Sequence, residues 1–348
     1  MKKELLMGTA LISTLGAASV AEAVTATMSG NHQTGVTFKS PNSGTDTTAQ
    51  VSDNNFTISL SETTDAGMTI SSSFMLANES ATAQGSDGDA GFTLAFTDGS
   101  KLDLLNAGNA SGSHDISIPS SAGAEVIATA TANNAPTGLD FTTAATVYGI
   151  EYHTAADFLM DGLTMSFSAS TDDNSANNST YSVDGHVALG GTYVTSLGDS
   201  AVTVGFGYSG TEGGKTGTAF TSDEGGMHLG ISAVTGDLTV AVGFADGDSV
   251  EQTNTAQNDG EYVAAGAKYV SGDLTFNVGF ASGTSKDSTT AGTAGTTDDS
   301  EDTTSASVSY AVASGVTAIL GYSSKDAEDN GAASTDGSAW YIGANMSF

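Results

Sequence analysis

Residues 227–244 read MHLGISAVTGDLTVAVGF, and the fold turns on how this stretch alternates. Met227, Leu229 and Ile231 occupy every second position, with His228, Gly230 and Ser232 between them. After Thr235-Gly236-Asp237 the alternation resumes with Leu238, Val240, Val242 and Phe244. A period of two, with one apolar face and one small or polar face, is the signature of a strand. The Gly-Asp pair between the two runs supplies the backbone freedom that a tight turn demands. The stretch therefore reads as a β-hairpin.

The same pattern fills the chain. Phe56, Ile58 and Leu60 alternate, as do Met68, Ile70 and Phe74, and Phe92, Leu94 and Phe96. Leu163, Met165 and Phe167 follow, then Val202, Val204, Phe206 and Tyr208, and later Leu274, Phe276, Val278 and Phe280. Seven short connections, most carrying Asp-Gly, Gly-Asp or Ser-Gly, alternate with eight long, polar, acidic ones. The long ones are 39–53, 77–89, 106–143, 172–180, 211–224, 246–260, 284–303 and 327–337. Fifteen connections join sixteen strands and put both termini at the short-turn end. The apolar face is almost free of charge, and the opposite face is too small and polar to fill a wide core. Backbone groups in hydrocarbon must all be paired, so a closed antiparallel transmembrane β-barrel around a water-filled interior satisfies the pattern. A soluble sandwich would show turns of similar length at both ends. A secreted β-solenoid would show Gly-Gly-x-Gly-x-Asp repeats, which are not found.

Composition narrows the function. Of 348 residues, 40 are acidic and 8 basic, for a net charge of −32; every basic residue is Lys and none is Arg. Nucleic acid is excluded as a partner, because a phosphate backbone requires a basic face. With no Cys, disulfides, thiolate metal sites and thiol catalysis are excluded too. At the N-terminus, Lys2 and Lys3, an apolar stretch from Leu5 to Val20 and Ala21-Glu22-Ala23 read as a signal peptide cleaved after residue 23. The mature chain is then 24–348 and is exported.

At the other end, Trp340, Ile342, Ala344, Met346 and Phe348 alternate back from an aromatic C-terminal residue. This resembles the insertion signal of Gram-negative outer-membrane proteins. With Asn55–Gly67, Met68–Phe74, Gly91–Phe96, Lys101–Gly108 and Ser338–Phe348 in that order, the chain resembles the sixteen-stranded general diffusion porins of alphaproteobacteria, the Rhodobacter type. The resemblance implies passive diffusion of small hydrophilic solutes through a homotrimer in the outer membrane, in contact with lipid and lipopolysaccharide. It also implies that the third long loop folds inward and constricts the pore. Residues 106–143 are the candidate, carrying His114, Asp115, Glu125 and Asp140. Such porins set basic side chains, mainly Arg, opposite the acidic loop; a chain without Arg departs from this.

Strand register assigns the lumen. Asp103, Glu151, His153, Asp184, His186 and His228 share inward positions, and Lys268 stands opposite the face of Val263, Ala265 and Ala267. Carboxylates in a narrow pore concentrate cations and repel anions, so the expectation is cation selectivity. Acid pairs in the long loops (Asp87 and Asp89, Asp246 and Asp248, and Asp298, Asp299, Glu301 and Asp302) offer hard oxygens suited to weak Ca²⁺ or Mg²⁺ binding. No full calcium-loop motif is present, and a solvated acidic surface is the simpler account. Ser-His-Asp groupings are expected by chance in so Ser-rich a chain, so no enzyme is expected. Tyr152, Tyr193, Phe206, Tyr208, Tyr269, Tyr310, Tyr322 and Trp340 fit an interfacial girdle. The alternative function is a structural or adhesive surface barrel with cation-binding loops; a substrate-specific channel is a third.

Overall fold

A strand with one apolar and one small or polar face can pack the apolar face against another sheet or turn it outward to lipid as part of a cylinder. In the computed structural model sixteen antiparallel strands close into a barrel. The structure describes residues 24–42, 44–77, 91–104, 110–123, 149–170, 183–213, 215–216, 219–220, 222–251, 257–287, 297–328 and 336–348. The expected signal segment 1–23 lies outside them.

The first half of the wall comprises β1 (Thr25–Pro41), β2 (Thr47–Thr63), β3 (Thr69–Ala77), β4 (Phe92–Ala95), β5 (Lys101–Leu104), β6 (Ile150–His153), β7 (Leu163–Ser170), β8 (Val183–Leu197) and β9 (Ser200–Gly213). A small hairpin, β10 (Lys215–Thr216) with β11 (Ala219–Phe220), forms a separate sheet that the sequence did not suggest. The wall continues with β12 (Ser222–Thr235), β13 (Leu238–Glu251), β14 (Gln257–Ser271), β15 (Leu274–Asp287), β16 (Thr297–Ala313), β17 (Val316–Glu328) and β18 (Gly337–Ser347). Each wall strand pairs with the next wall strand along the chain, β9 meeting β12 past the small hairpin, and β18 closes on β1 with Ile342 opposite Val36 and Trp340 opposite Phe38. Closure leaves no edge strand in the barrel wall, which a sheet in hydrocarbon requires. Residues 227–244 form the hairpin read from the sequence, with Leu229 opposite Phe244 and Ile231 opposite Val242. Gly236 takes φ +57°, the left-handed backbone that its turn requires.

Side chains divide by parity. Phe167, Val187, Tyr208, Leu229, Val242, Val278, Leu320 and Trp340 are exposed on the outer face, and Tyr152, Tyr269 and Tyr310 join them. The intervening residues are small and shielded: Ser166 and Ser168, Ala241 and Ala245, Ser307 and Ser309. An apolar surface wrapped right round the wall is stable against hydrocarbon, not water. Among the described residues no helix is long and apolar enough to cross a membrane; the strands make the crossing.

The structure corrects the long connections. β1 runs to Pro41 and β2 starts at Thr47, so most of 39–53 is strand. Likewise β13 reaches Glu251 and β16 begins at Thr297. Asp246, Asp248, Asp298, Asp299, Glu301 and Asp302 were expected in loops but stand on strands. Hairpins keep their ladder hydrogen bonds after they leave the membrane, where an acidic side chain is solvated at no cost.

Candidate functional site

The lumen is organised by residues 110–123, the described part of the long third connection. They run along the inner wall, held at both ends by hydroxyls of the wall. The Ala110 N–H donates to Ser168 Oγ (3.0 Å) on β7. Ser113 Oγ donates to Glu151 Oε1 (2.7 Å) on β6. At the far end, the Ser121 and Ala122 N–H groups donate to Ser305 Oγ (3.1 Å) and Ser307 Oγ (2.9 Å) on β16. A short 3-10 turn, Gly112–His114, opens the segment.

Between these anchors the loop rests on glycines. A Cβ added at Gly190 would stand 2.2 Å from the Ala110 carbonyl oxygen, and one at Gly205 2.2 Å from that of His114. At Gly230 it would meet Ile116 at 2.6 Å, and at Gly266 the Pro119 carbonyl oxygen at 2.0 Å. These contacts are shorter than any real Cβ makes, so the seat exists because β8, β9, β12 and β14 carry glycine where the loop passes.

His114 is the central tie. Its Nδ1 hydrogen-bonds Thr192 Oγ1 (2.7 Å) and its Nε2 hydrogen-bonds Ser166 Oγ (2.8 Å). Ser166 Oγ also meets His153 Nδ1 (2.7 Å), and His153 Nε2 meets Asp103 Oδ2 (2.8 Å). Thr93 donates to the other Asp103 oxygen, and Glu151 Oε1 lies 3.5 Å from His153 Nε2. Register explains the grouping: Thr93, Asp103 and Glu151 are successive cross-strand partners, as are Lys101, His153 and Ser166. Ser166, His153 and Asp103 stand in the order of a nucleophilic triad. Ser166 is only 1% exposed and already engaged by two imidazoles, so no substrate carbonyl can approach it. The chain of bonds is a latch.

A second tie forms at His228, whose Nε2–H is shared between the Ser111 carbonyl (2.9 Å) and Asp115 Oδ1 (3.0 Å). Further round, Lys325 Nζ pairs with Glu301 Oε2 (2.7 Å) on the inner face. A cavity of about 320 Å³ between Pro119, Tyr262 and Glu301 is the open space beside the loop.

Of the residues expected in the lumen, Asp103, His114, Asp115, Glu151, His153 and His228 come together around the loop. His186 is buried on the same β8 face as Gly190. Lys268 is exposed on the β14 face that carries Gly266. Asp184 lies on β8 with its side chain outside the described residues, as do Glu125 and Asp140 entirely. Among the described residues, the divalent candidates form no metal-binding group. Glu301 faces in and pairs with Lys325 while its neighbour Asp302 faces out, so alternation prevents the two from sharing an ion. Asp246 and Asp248 share the outer face, opposite Glu261 and Asp259. Asp87, Asp89 and the side chains of Asp298 and Asp299 lie outside the described residues. Among the described residues, no three His, Asp or Glu side chains are placed to hold a metal ion. The sequence reading missed Lys101 and Lys325 on the inner face; counting by twos from Asp103 and from Ser323 would have found both. It also missed Tyr341, fully buried, whose hydroxyl donates to the Thr34 carbonyl (3.0 Å).

The profile of the Gram-negative porin family matches residues 8–330. The chain belongs to the Gram-negative porins. Among solved structures, it is similar to OmpT of Vibrio cholerae in its trimer form, at 13% identity over 94% of this chain and 100% of that one, with a TM-score of 0.66. It is similar to the anion-selective porin of Comamonas acidovorans (11%, 94% and 100%, TM-score 0.64). A mutant of the Rh. blastica porin also matches (15%, 93% and 100%, TM-score 0.58). No curated protein matches the sequence. As a porin, the protein is an outer-membrane channel protein.

Burial pushes the His114 imidazole of this porin down from 6.5 to about 4; the nearby imidazoles of His153 and His228 act in the same direction and Asp115 opposes them. His114 is thus neutral at pH 7 and can both donate to and accept from its two hydroxyl partners. A folded-state pKa below the unfolded one stabilises the seated loop above about 6.5, and this is lost as pH falls toward 4. Current fluctuations through the open pore are expected to grow over that interval. His114→Gln, which hydrogen-bonds without titrating, removes that share of the pH dependence in single-channel recordings; an unchanged profile would separate the loop from His114.

Proposed function

We propose that the protein is a general diffusion pore of the Rhodobacter type, passing small hydrophilic solutes and favouring cations, with no catalytic step. What supports this is the course of residues 110–123 along the inner wall, tied to β7, β6 and β16, where they narrow the lumen. Asp103, Asp115, Glu151 and Glu301 lie inside, and Asp246, Asp248, Asp259, Glu261, Asp302 and Asp326 lie on the outer face toward the long-loop end of the strands, where their field reaches the mouth. Lys101, Lys268 and Lys325 offset much of the inner charge, so the acidic mouth is the larger source of cation preference.

We further propose a homotrimer. On the outer face of β1, His32 lies midway between the exposed Met28 and Phe38, and its Nδ1 hydrogen-bonds Asn54 Oδ1. A polar pair at this height is costly against lipid and is better placed against another protomer. Outward acids, with Ca²⁺ or Mg²⁺ between them and lipopolysaccharide phosphates, would seat the rim in the outer leaflet. Residues 1–23 serve as the cleaved export signal. The strand ending in Phe348, whose ring packs 6.3 Å from that of Phe56 and whose N–H donates to the Gly30 carbonyl, serves as the insertion signal.

Liposome swelling tests the pore. Proteoliposomes are expected to swell in neutral sugars at rates that fall with solute size and ignore stereochemistry. Saturable, stereoselective uptake, or no swelling in the smallest sugar, would remove general diffusion.

A further inference from the structure

We propose that the turn joining β6 to β7 is a membrane anchor whose apolar tip enters the periplasmic leaflet of the outer membrane. Most short turns of this barrel are tight and carry at most one apolar side chain: Gly236-Asp237 and Gly272-Asp273 expose little beyond backbone and a carboxylate, and Gly198-Asp199 adds only the exposed Leu197 before it. Residues 154–162 differ. They present Phe158, Leu159 and Met160 in succession, and Leu159 is 81% exposed.

The backbone is bent to do so. Asp157 has φ +61° and Leu159 φ +65°, left-handed conformations that are unfavourable for a non-glycine residue. The bend is held rather than loose. Gly162 N–H donates to Asp157 Oδ1 (2.6 Å), Phe158 N–H to the Leu163 carbonyl (2.9 Å), and Leu163 N–H to the Met160 carbonyl (3.1 Å). Gly162 is further fixed to β8, where its carbonyl accepts from Val194 N–H (2.9 Å). A strained, firmly tied turn that aims three large apolar side chains at solvent is unfavourable unless they leave water.

Lipid is the occupant that the surroundings favour, because the tip continues an apolar surface already in lipid. Tyr152 and Phe167, opposite each other on β6 and β7, are both exposed on the outer face. Met165 and Leu163 carry that face down β7 to the turn, and Leu163 stands opposite Tyr193 of β8. The outward residues of β7 from Phe167 through Met165 to Leu163 carry no charge, and Asp157 and Asp161 bracket the tip. Such a wedge would fix the depth and tilt of the wall beside the strands from which residues 110–123 depart.

The absence of native cysteine makes the test direct. Leu159→Cys carries a nitroxide in the intact barrel, reconstituted in phosphatidylethanolamine and phosphatidylglycerol vesicles. Ser271→Cys, in a polar turn at the same end, is the reference, and Met160→Cys is a second site should the first perturb the bend. Relaxation by dissolved oxygen and by a water-soluble nickel chelate is then compared. The expected result is an oxygen-to-nickel ratio severalfold higher at 159 and 160 than at 271. A ratio equal to that at 271 places the tip in water and overturns the proposal. Protection from both agents places it against protein and overturns it equally.

Discussion

Replacing Gly266 with leucine is expected to cut single-channel conductance by roughly half while leaving the barrel folded. The Pro119 carbonyl oxygen would lie 2.0 Å from the new Cβ, and its carbonyl carbon 2.9 Å away. Both are backbone atoms, so no side-chain rotation relieves the clash. The wall cannot retreat, because Gly266 is paired on one side with Ala241 and on the other with Gly279. Gly279 also touches the loop, its Cβ position lying 2.8 Å from the same oxygen. The loop must therefore move toward the pore axis, where it takes cross-section from the channel. Gly266→Ala is expected to act in the same direction with a smaller effect and more current noise. Ala265→Leu, one residue along on the lipid face, is the control and should leave conductance unchanged. Planar-bilayer recording reads the result, with heat-modifiable gel mobility reporting folding. A folded Gly266→Leu barrel of unaltered conductance would show that the loop does not rest on β14 in the open channel.

Much of this architecture was legible because a barrel wall repeats one simple rule. A single hairpin such as 227–244 gives the period, the turn and both faces, and its neighbours repeat them until the sheet closes. The inward register of Asp103, Glu151, His153 and His228 followed from counting by twos and needed no tertiary information. Where strands end was less legible. The apolar alternation stops at the membrane boundary, but ladder pairing does not, which put Asp246 and Glu301 on strands rather than in loops. The loop seat was hidden for another reason. Gly190, Gly205, Gly230 and Gly266 read as ordinary strand glycines, and their shared purpose shows only when the wall is closed and residues 110–123 are laid across it. The Ser166 bridge between His114 and His153 was equally invisible, since Ser166 is one of many alternating serines. The sequence overstated the acidity of the lumen by crediting Lys268 alone as the opposing cation, when Lys101 and Lys325 also face inward.

That correction shapes the second large expectation, which concerns charge selection. With inner acids and lysines close to balance among the described residues, the net charge of −32 acts mainly from the loops and upper strands. A field from the mouth reaches the permeation path only while the screening length is comparable to the vestibule. That length is about 30 Å at 0.01 M salt and about 3 Å at 1 M. Cation preference is therefore expected to be strong in dilute salt and to fade in concentrated salt. A ring of unpaired carboxylates at the constriction would instead hold its preference at both, since partly desolvated charges escape screening. Neutralising Asp246, Asp248, Asp259 and Glu261 together with their amides should then reduce selectivity more than Asp115→Asn does.

The most direct test is the zero-current potential of the purified mature protein in a planar bilayer under a tenfold KCl gradient, taken first in dilute and then in concentrated salt. The account predicts stepwise channel openings, a cation-favouring potential in dilute salt, and its decline as salt rises. An anion-favouring potential, or silence from folded and inserted protein, would contradict it.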